Sequence, residues 1–320
     1  VLEDTVATDA ADLLALVDKT AGTIDVSNVT AIQGTVAELT AAAGVYGKAD
    51  IVGLGDEAIT ENSGGAISVA NANALAALTT GVVTASLSGT ASTLAGLNGT
   101  GNAYTLTVSD EAVAIDIADL LALNAATTVS VNVAAIDNSH GLSGTYSEIK
   151  ALFAAAAEGE FTGLAANLPI SVDDTSISVS QANEINALTS GAVTATISTG
   201  DMATLNTLEG SGNVYAVTVT DTSATASDLL ALDGKTTSSV NATAVTTLTG
   251  SLTDINNVLA AETAPTTMTI ADNFVSVVVT GTIDAADAQS LTTDARIGSG
   301  VVTATVTADQ ADDLNAALTN

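Results

Sequence analysis

The chain has no cysteine and no tryptophan, only two prolines, and seven aromatics (four Tyr, three Phe) in 320 residues. Without cysteine there is no disulfide framework and no thiolate metal site, although that alone fixes no compartment. Cations are nearly as scarce. Lys19, Lys48, Lys150, Lys235 and Arg296 stand against 36 Asp and Glu, for a formal charge of −31. Nucleic acids and anionic membrane faces both need basic surface to bind, so neither is expected as a partner. No run of 18 uncharged apolar residues is present, and no membrane insertion is predicted. An enzyme acting on acidic polysaccharide needs cations to neutralise its substrate and aromatics to stack sugars. The five scattered cations point away from that chemistry, and the chain reads as a non-enzyme.

What is abundant is aliphatic. Hydrophobic residues make up 47% and mean hydropathy is +0.45, too apolar for the disorder that high net charge often brings. The core is therefore thin and aliphatic, which suits stacked repeats better than one globular centre. Such a charge suits a protein bathed in salt or divalent cations.

The repeats are visible directly. Asp-Leu-Leu-Ala-Leu begins at Asp12, Asp119 and Asp228, offsets of 107 and 109. Val82-Val83-Thr84-Ala85 returns as Ala192-Val193-Thr194-Ala195 and as Val301-Val302-Thr303-Ala304, offsets of 110 and 109. Gly101-Asn102-Ala103-Tyr104 is matched by Gly212-Asn213-Val214-Tyr215. The period sets large repeats at 1–106, 107–216 and 217–320. The third stops before its Gly-Asn-x-Tyr, so the chain reads as a fragment or processed product.

Each large repeat subdivides. Val82–Leu87 alternates with Thr and reads as a strand, as do Tyr104–Val108 and Val129–Ile136. Thr90–Leu97, Asp116–Leu123 and Thr145–Ala155 have helical spacing. Thr35 with Glu38, Thr145 with Glu148 and Ser251 with Asp254 have the spacing of capping boxes, each just after a glycine (Gly34, Gly144, Gly250). Asp9 with Asp12, Asp116 with Asp119, Thr225 with Asp228 and Asp284 with Asp287 repeat the pattern, so much of the acidity is explained by helix starts. The expected fold is α/β: a repeat solenoid of about twelve strand–short-helix units with parallel strands, in three large repeats of about 109 residues. An irregular piece recurs near 47–65, 158–174 and 262–273; Pro169 and Pro265 fall in it, and it is the expected place for a ligand or lateral contact.

Candidate chemistry is sparse. The single His140 lies in a loop unique to one repeat and reads as exposed. Calcium is the ligand hypothesis that the acids best support. Asp110 and Asp221 close equivalent strands, and Asp173, Asp174 and Asp272 end others, as calcium's preference for turn oxygens would require. No EF-hand loop is present, and strand-end Asx turns compete with calcium as the explanation. The Thr-x-Thr strands could form a hydroxyl array on an exposed face, a common use of Thr.

Tyr104-Thr105-Leu106-Thr107-Val108-Ser109-Asp110, Asp228-Leu229-Leu230-Ala231-Leu232-Asp233, Thr236-Thr237 leading into Val240-Asn241-Ala242-Thr243, and Thr246-Thr247-Leu248-Thr249-Gly250 resemble giant secreted repeat proteins of bacterial, cyanobacterial-type cell surfaces. The resemblance covers essentially the whole chain, although the calcium-binding nonapeptides common in such proteins are missing. It implies export, often with calcium-driven folding outside the cell, and an extracellular or cell-surface role in adhesion, surface layers, fibres or matrix. The implied partners are copies of the chain or further repeats of it, other surface proteins, or glycans. A structural segment is the first expectation, and an adhesin module for glycan, ice or another cell is the alternative.

Overall fold

A computed structural model describes residues 1–2, 7–109, 112–263 and 267–307. They form an α/β structure of short parallel strands alternating with short helices, in two compact units, Val1–Leu168 and Pro169–Asn320. The boundary between the units falls inside the second sequence repeat.

The first unit runs β1 (Thr8–Asp9), α1 (Ala10–Val17), β2 (Ile24–Asp25), β3 (Ala31–Gly34), α2 (Val36–Thr40), β4 (Ile51–Val52), β5 (Ala58–Glu61) and α3 (Val69–Ala76). It continues with β6 (Val83–Gly89), α4 (Ala91–Leu94), β7 (Ala103–Val108), β8 (Ile115–Asp116), α5 (Ile117–Ala126), β9 (Val131–Asn132), β10 (Leu142–Gly144), α6 (Tyr146–Ala157) and β11 (Phe161–Thr162). Its main sheet has the order β1-β3-β5-β6-β7-β9-β11, so each pass of the chain adds a strand beside the previous one. β2 pairs with β4 and β8 with β10, also in parallel.

The second unit holds β12 (Ile170–Val172), α7 (Val179–Asn186), β13 (Val193–Thr196), α8 (Met202–Leu205), β14 (Val214–Thr218), β15 (Ser223–Thr225), α9 (Ala226–Asp233) and β16 (Val240–Ala242). After these come β17 (Thr247–Gly250), α10 (Leu252–Ala261), β18 (Met268–Ile270), β19 (Ser276–Ile283), α11 (Ala285–Thr293) and β20 (Val301–Val306). Within it, β12-β13-β14-β16-β18 and β15-β17-β19-β20 are two runs of neighbouring parallel strands.

Helix starts follow the residues that the sequence singles out. All eleven α-helices of the described residues have a capping side chain that accepts a backbone N–H. Thr35 with Glu38 and Thr145 with Glu148 form complete capping boxes, and Ser178 with Gln181 adds a third. Asp254, one methylene shorter than Glu, receives the Ser251 hydroxyl at 2.7 Å, as Glu38 and Glu148 receive those of their caps, but does not complete the box. Asp9 and Asp116 accept from the N–H two residues on, Ala11 at 2.9 Å and Ala118 at 2.8 Å.

One strand per helix was expected, but two short strands, β9 and β10, separate α5 from α6. The strand expected across 129–136 is only Val131–Asn132. The cause is a side-chain corner: Asn132 Oδ1 accepts the Ala134 N–H at 3.1 Å, and the Ile136 N–H then closes on Val133 O at 3.1 Å. The same corner forms where Asp25 accepts from Ser27 at 3.0 Å and Asn241 from Thr243 at 3.2 Å. An Asx side chain that satisfies the backbone this way competes with the sheet ladder and turns the chain.

The core is aliphatic, with Leu13, Ile32, Ile59, Leu106 and Leu120 buried in the first unit and Ile185, Leu229, Leu248 and Val277 in the second. Each such side chain contributes roughly 1.5–3 kcal/mol of burial. Turns approach closely at the glycines that precede the caps. A Cβ on Gly34 would lie 2.7 Å from Ala10 Cβ, on Gly250 2.9 Å from Ala226 Cβ, and on Gly144 3.1 Å from Ile117 Cβ. In each case the first residue of the preceding turn's helix fills the space. Gly34→Ala is predicted to cost about 1–3 kcal/mol through overpacking, measured by urea denaturation. Combining it with Ala10→Gly should recover part of that loss, because the two sites touch.

Candidate functional site

The strand-end acids do not converge. Asp110 lies outside the described residues. Asp173 and Asp174 follow β12 and are both engaged in interactions. Asp272 is exposed on the turn before β19. Asp221 reaches back to α8, where its Oδ2 accepts the Met202 N–H at 2.5 Å. Asp201, the cap of α8, accepts from Thr204 at 2.8 Å, and this hydrogen bonding holds its carboxyl below the usual range. Asp201, Asp221 and Asp228 line one open cleft of about 420 Å³ together with Thr225 and Thr249. Two of the three acids thus serve the start of a four-residue helix. Among the described residues, no group of three or more His, Cys, Asp or Glu is placed to hold a metal ion. His140 is exposed.

What does converge is a set of neutral polar side chains linking successive turns. Asn73 Nδ2 donates to Gly96 O at 2.9 Å, and its Oδ1 accepts the Asn98 N–H at 2.8 Å. Asn183 repeats both bonds, to Thr207 O at 2.8 Å and from the Glu209 N–H at 2.9 Å. Asn102, 6% exposed, accepts the Val83 N–H at 3.0 Å, and Asn213, 2% exposed, accepts the Val193 N–H at 2.8 Å. Asn213 also donates to Asn186 Oδ1 at 2.9 Å. Thr127 donates to Tyr104 O at 2.7 Å and Thr236 to Tyr215 O at 2.8 Å. Each hydroxyl also accepts the N–H two residues on, Val129 at 3.1 Å and Ser238 at 3.0 Å. Breaking the Asn102, Asn213 or Thr127 link strands a buried backbone group, which costs more than the link contributes when made. The recurring Gly-Asn-x-Tyr was legible as a repeat marker, and its buried Asn is the signal that identifies these links.

Beside them, Tyr104 and Tyr215 are fully buried with phenol oxygens that have no hydrogen-bond partner. Burial raises the pKa of both phenols, that of Tyr215 to about 12. They pack as large core side chains.

Among the described residues, no helix is long and apolar enough to cross a membrane. The chain matches no family model, no curated protein and no solved structure.

Asp233, the last residue of α9, has its carboxyl pushed above the usual range by burial, partly opposed by the Thr267 hydroxyl that donates to it at 3.0 Å. The native state therefore holds this proton more tightly than the unfolded chain. Stability falls as pH rises from about 4 through the raised native value, and the loss persists at neutral pH. Asp233→Asn is predicted to stabilise the protein at pH 7 and to leave it nearly unchanged at pH 3, read from urea midpoints at both. Asn124, which occupies the matching position on α5, already shows that an amide is accommodated there.

Proposed function

We propose that this chain is a structural repeat segment of an extracellular bacterial surface or fibre protein, working as spacer, layer, filament or matrix. The observation that carries this reading is the recurrence of the same turn-to-turn bonds one sequence period apart, at Asn73 and Asn183, Asn102 and Asn213, and Thr127 and Thr236. Polar side chains that would build a site in an enzyme are used here to hold one turn of chain to the next. On this reading the strand–helix units stack as a solenoid of three large repeats, and neighbouring turns supply most of each other's stability. Copies of the chain or further repeats of it are the natural partners, with calcium as the cation best suited to so acidic a surface.

One observation favours the alternative of an adhesin for glycan or ice. Thr84, Ser86 and Ser88 of β6 are exposed, and Ser86 and Ser88 pair in register with Thr105 and Thr107 of β7. This gives an uncharged hydroxyl face at strand spacing.

Two experiments test the structural reading. Removing residues 117–225, 109 residues, joins the cap Asp116 to Ala226 and takes out one whole period. The shortened protein is predicted to fold cooperatively with unchanged circular dichroism per residue, whereas an unfolded or aggregated product would contradict the three-repeat stack. Electron microscopy of the full chain, with calcium and with a chelator, should show ordered fibres or sheets. Isolated particles at every concentration, together with retention on glycan or ice, would favour the adhesin.

A further inference from the structure

Glu57 is a carboxylate in the wall of the core. It is 2% exposed; its Oε2 accepts the Gly55 N–H at 2.8 Å and the Asp56 N–H at 3.2 Å, while its Oε1 is buried with no hydrogen-bond partner. The position does not demand an acid. Ile59 pairs with Val83, Ile170 with Val193 and Val277 with Val302, and two residues before each stand Glu57, Leu168 and Val275. Leu168 is fully buried. An acid replacing an apolar side chain, with one oxygen left without a donor, carries a desolvation cost that a local partner must offset.

The surroundings offer a place for such a partner. Glu57 lines an open cleft of about 360 Å³ with the exposed Asp56 and with Ser27, Asn28, Val29 and Thr30 of the preceding turn. The cleft is held from both sides. Thr79 Oγ1 donates to Glu57 O at 2.6 Å, the Thr80 N–H donates to Gly55 O at 2.8 Å, and the Ala58 N–H donates to Thr30 O at 2.9 Å. Gly81 packs so tightly that a Cβ there would lie 2.5 Å from Glu57 O, and Gly53, at φ +88°, packs on Ser27. The backbone that carries Glu57 is thus fixed before any ligand arrives. Its setting is the irregular stretch 47–65.

We propose that this cleft is a divalent cation site of the calcium class, with the Glu57 and Asp56 carboxylates as its charged ligands. Oxygens of Ser27 and Asn28 and water complete the six to eight that calcium takes. Magnesium, which demands a smaller octahedral cage, fits an open cleft less well. Two carboxylates and an open rim place the affinity on the order of 10⁻⁴–10⁻³ M, the range of extracellular modules. This site is separate from the strand-end acids and does not rest on the fibre reading.

The test is a calcium titration of the intact 320-residue chain, followed by amide NMR at constant ionic strength, on wild type, Asp56→Asn, Glu57→Gln and Glu57→Leu. Wild type should show saturable shifts at Asn28, Gly55 and Asp56, with magnesium at least tenfold weaker. Asp56→Asn, at an exposed position, should weaken binding about tenfold, and either Glu57 variant should abolish the saturable shifts. Glu57→Leu should also be at least as stable as wild type in chelator, since Leu168 occupies the matching position. If Glu57→Leu does not fold, Asp56→Asn and Glu57→Gln decide. Shifts equal to wild type in these variants, or wild-type shifts that never saturate, as diffuse screening of surface acids would give, would overturn the proposal.

Discussion

Every helix described here is too short to persist alone, and so is nearly every strand. The helices run from four to twelve residues and many strands have only two or three, below the lengths at which either element is independently stable in water. The constraint is therefore contact between one turn of chain and the next. Apolar side chains supply most of the burial, but apolar contact alone does not fix register. Asn102 and Asn213, each bonded to a backbone N–H of the preceding turn, set how far one turn slides past another. A slip would leave buried amides unpaired.

The same constraint explains where the acids sit. A chain of charge −31 repels itself, and the repulsion is tolerable where each carboxylate meets a local positive dipole. Helix N-termini provide that dipole once per turn. Asp9, Asp116, Asp201 and Asp284 act as caps directly, and Asp221 reaches the α8 N-terminus from a neighbouring turn. Acid content in this protein is first a feature of its architecture. Glu57, buried and not among these caps, is the exception.

The helix starts were legible because they are local signals. Thr35 and Glu38 lie three residues apart, and the Asp-Leu-Leu-Ala-Leu copies read as text. The corner at Asn132 was not legible, because Val129–Ile136 alternates as a strand does and only the Asn132 side chain, closing on Ala134, breaks it. Asp221 reads as the end of a strand, but β14 stops at Thr218, and the bond from Asp221 to Met202 spans 19 residues and depends on how turns stack. Glu57 shows the same limit. Its sequence neighbours mark an irregular loop, while its backbone carbonyl is held by the Thr79 hydroxyl of the following turn.

The claim that neighbouring turns hold each other is tested most directly by native-state hydrogen exchange on Asn213→Ala beside wild type. The account predicts lost protection at Val193, whose N–H the Asn213 side chain accepts, and in the turns carrying Asn186 and Thr236, with the loss fading over one or two further turns. A uniform loss across every turn, or a loss confined to residue 213, would contradict it.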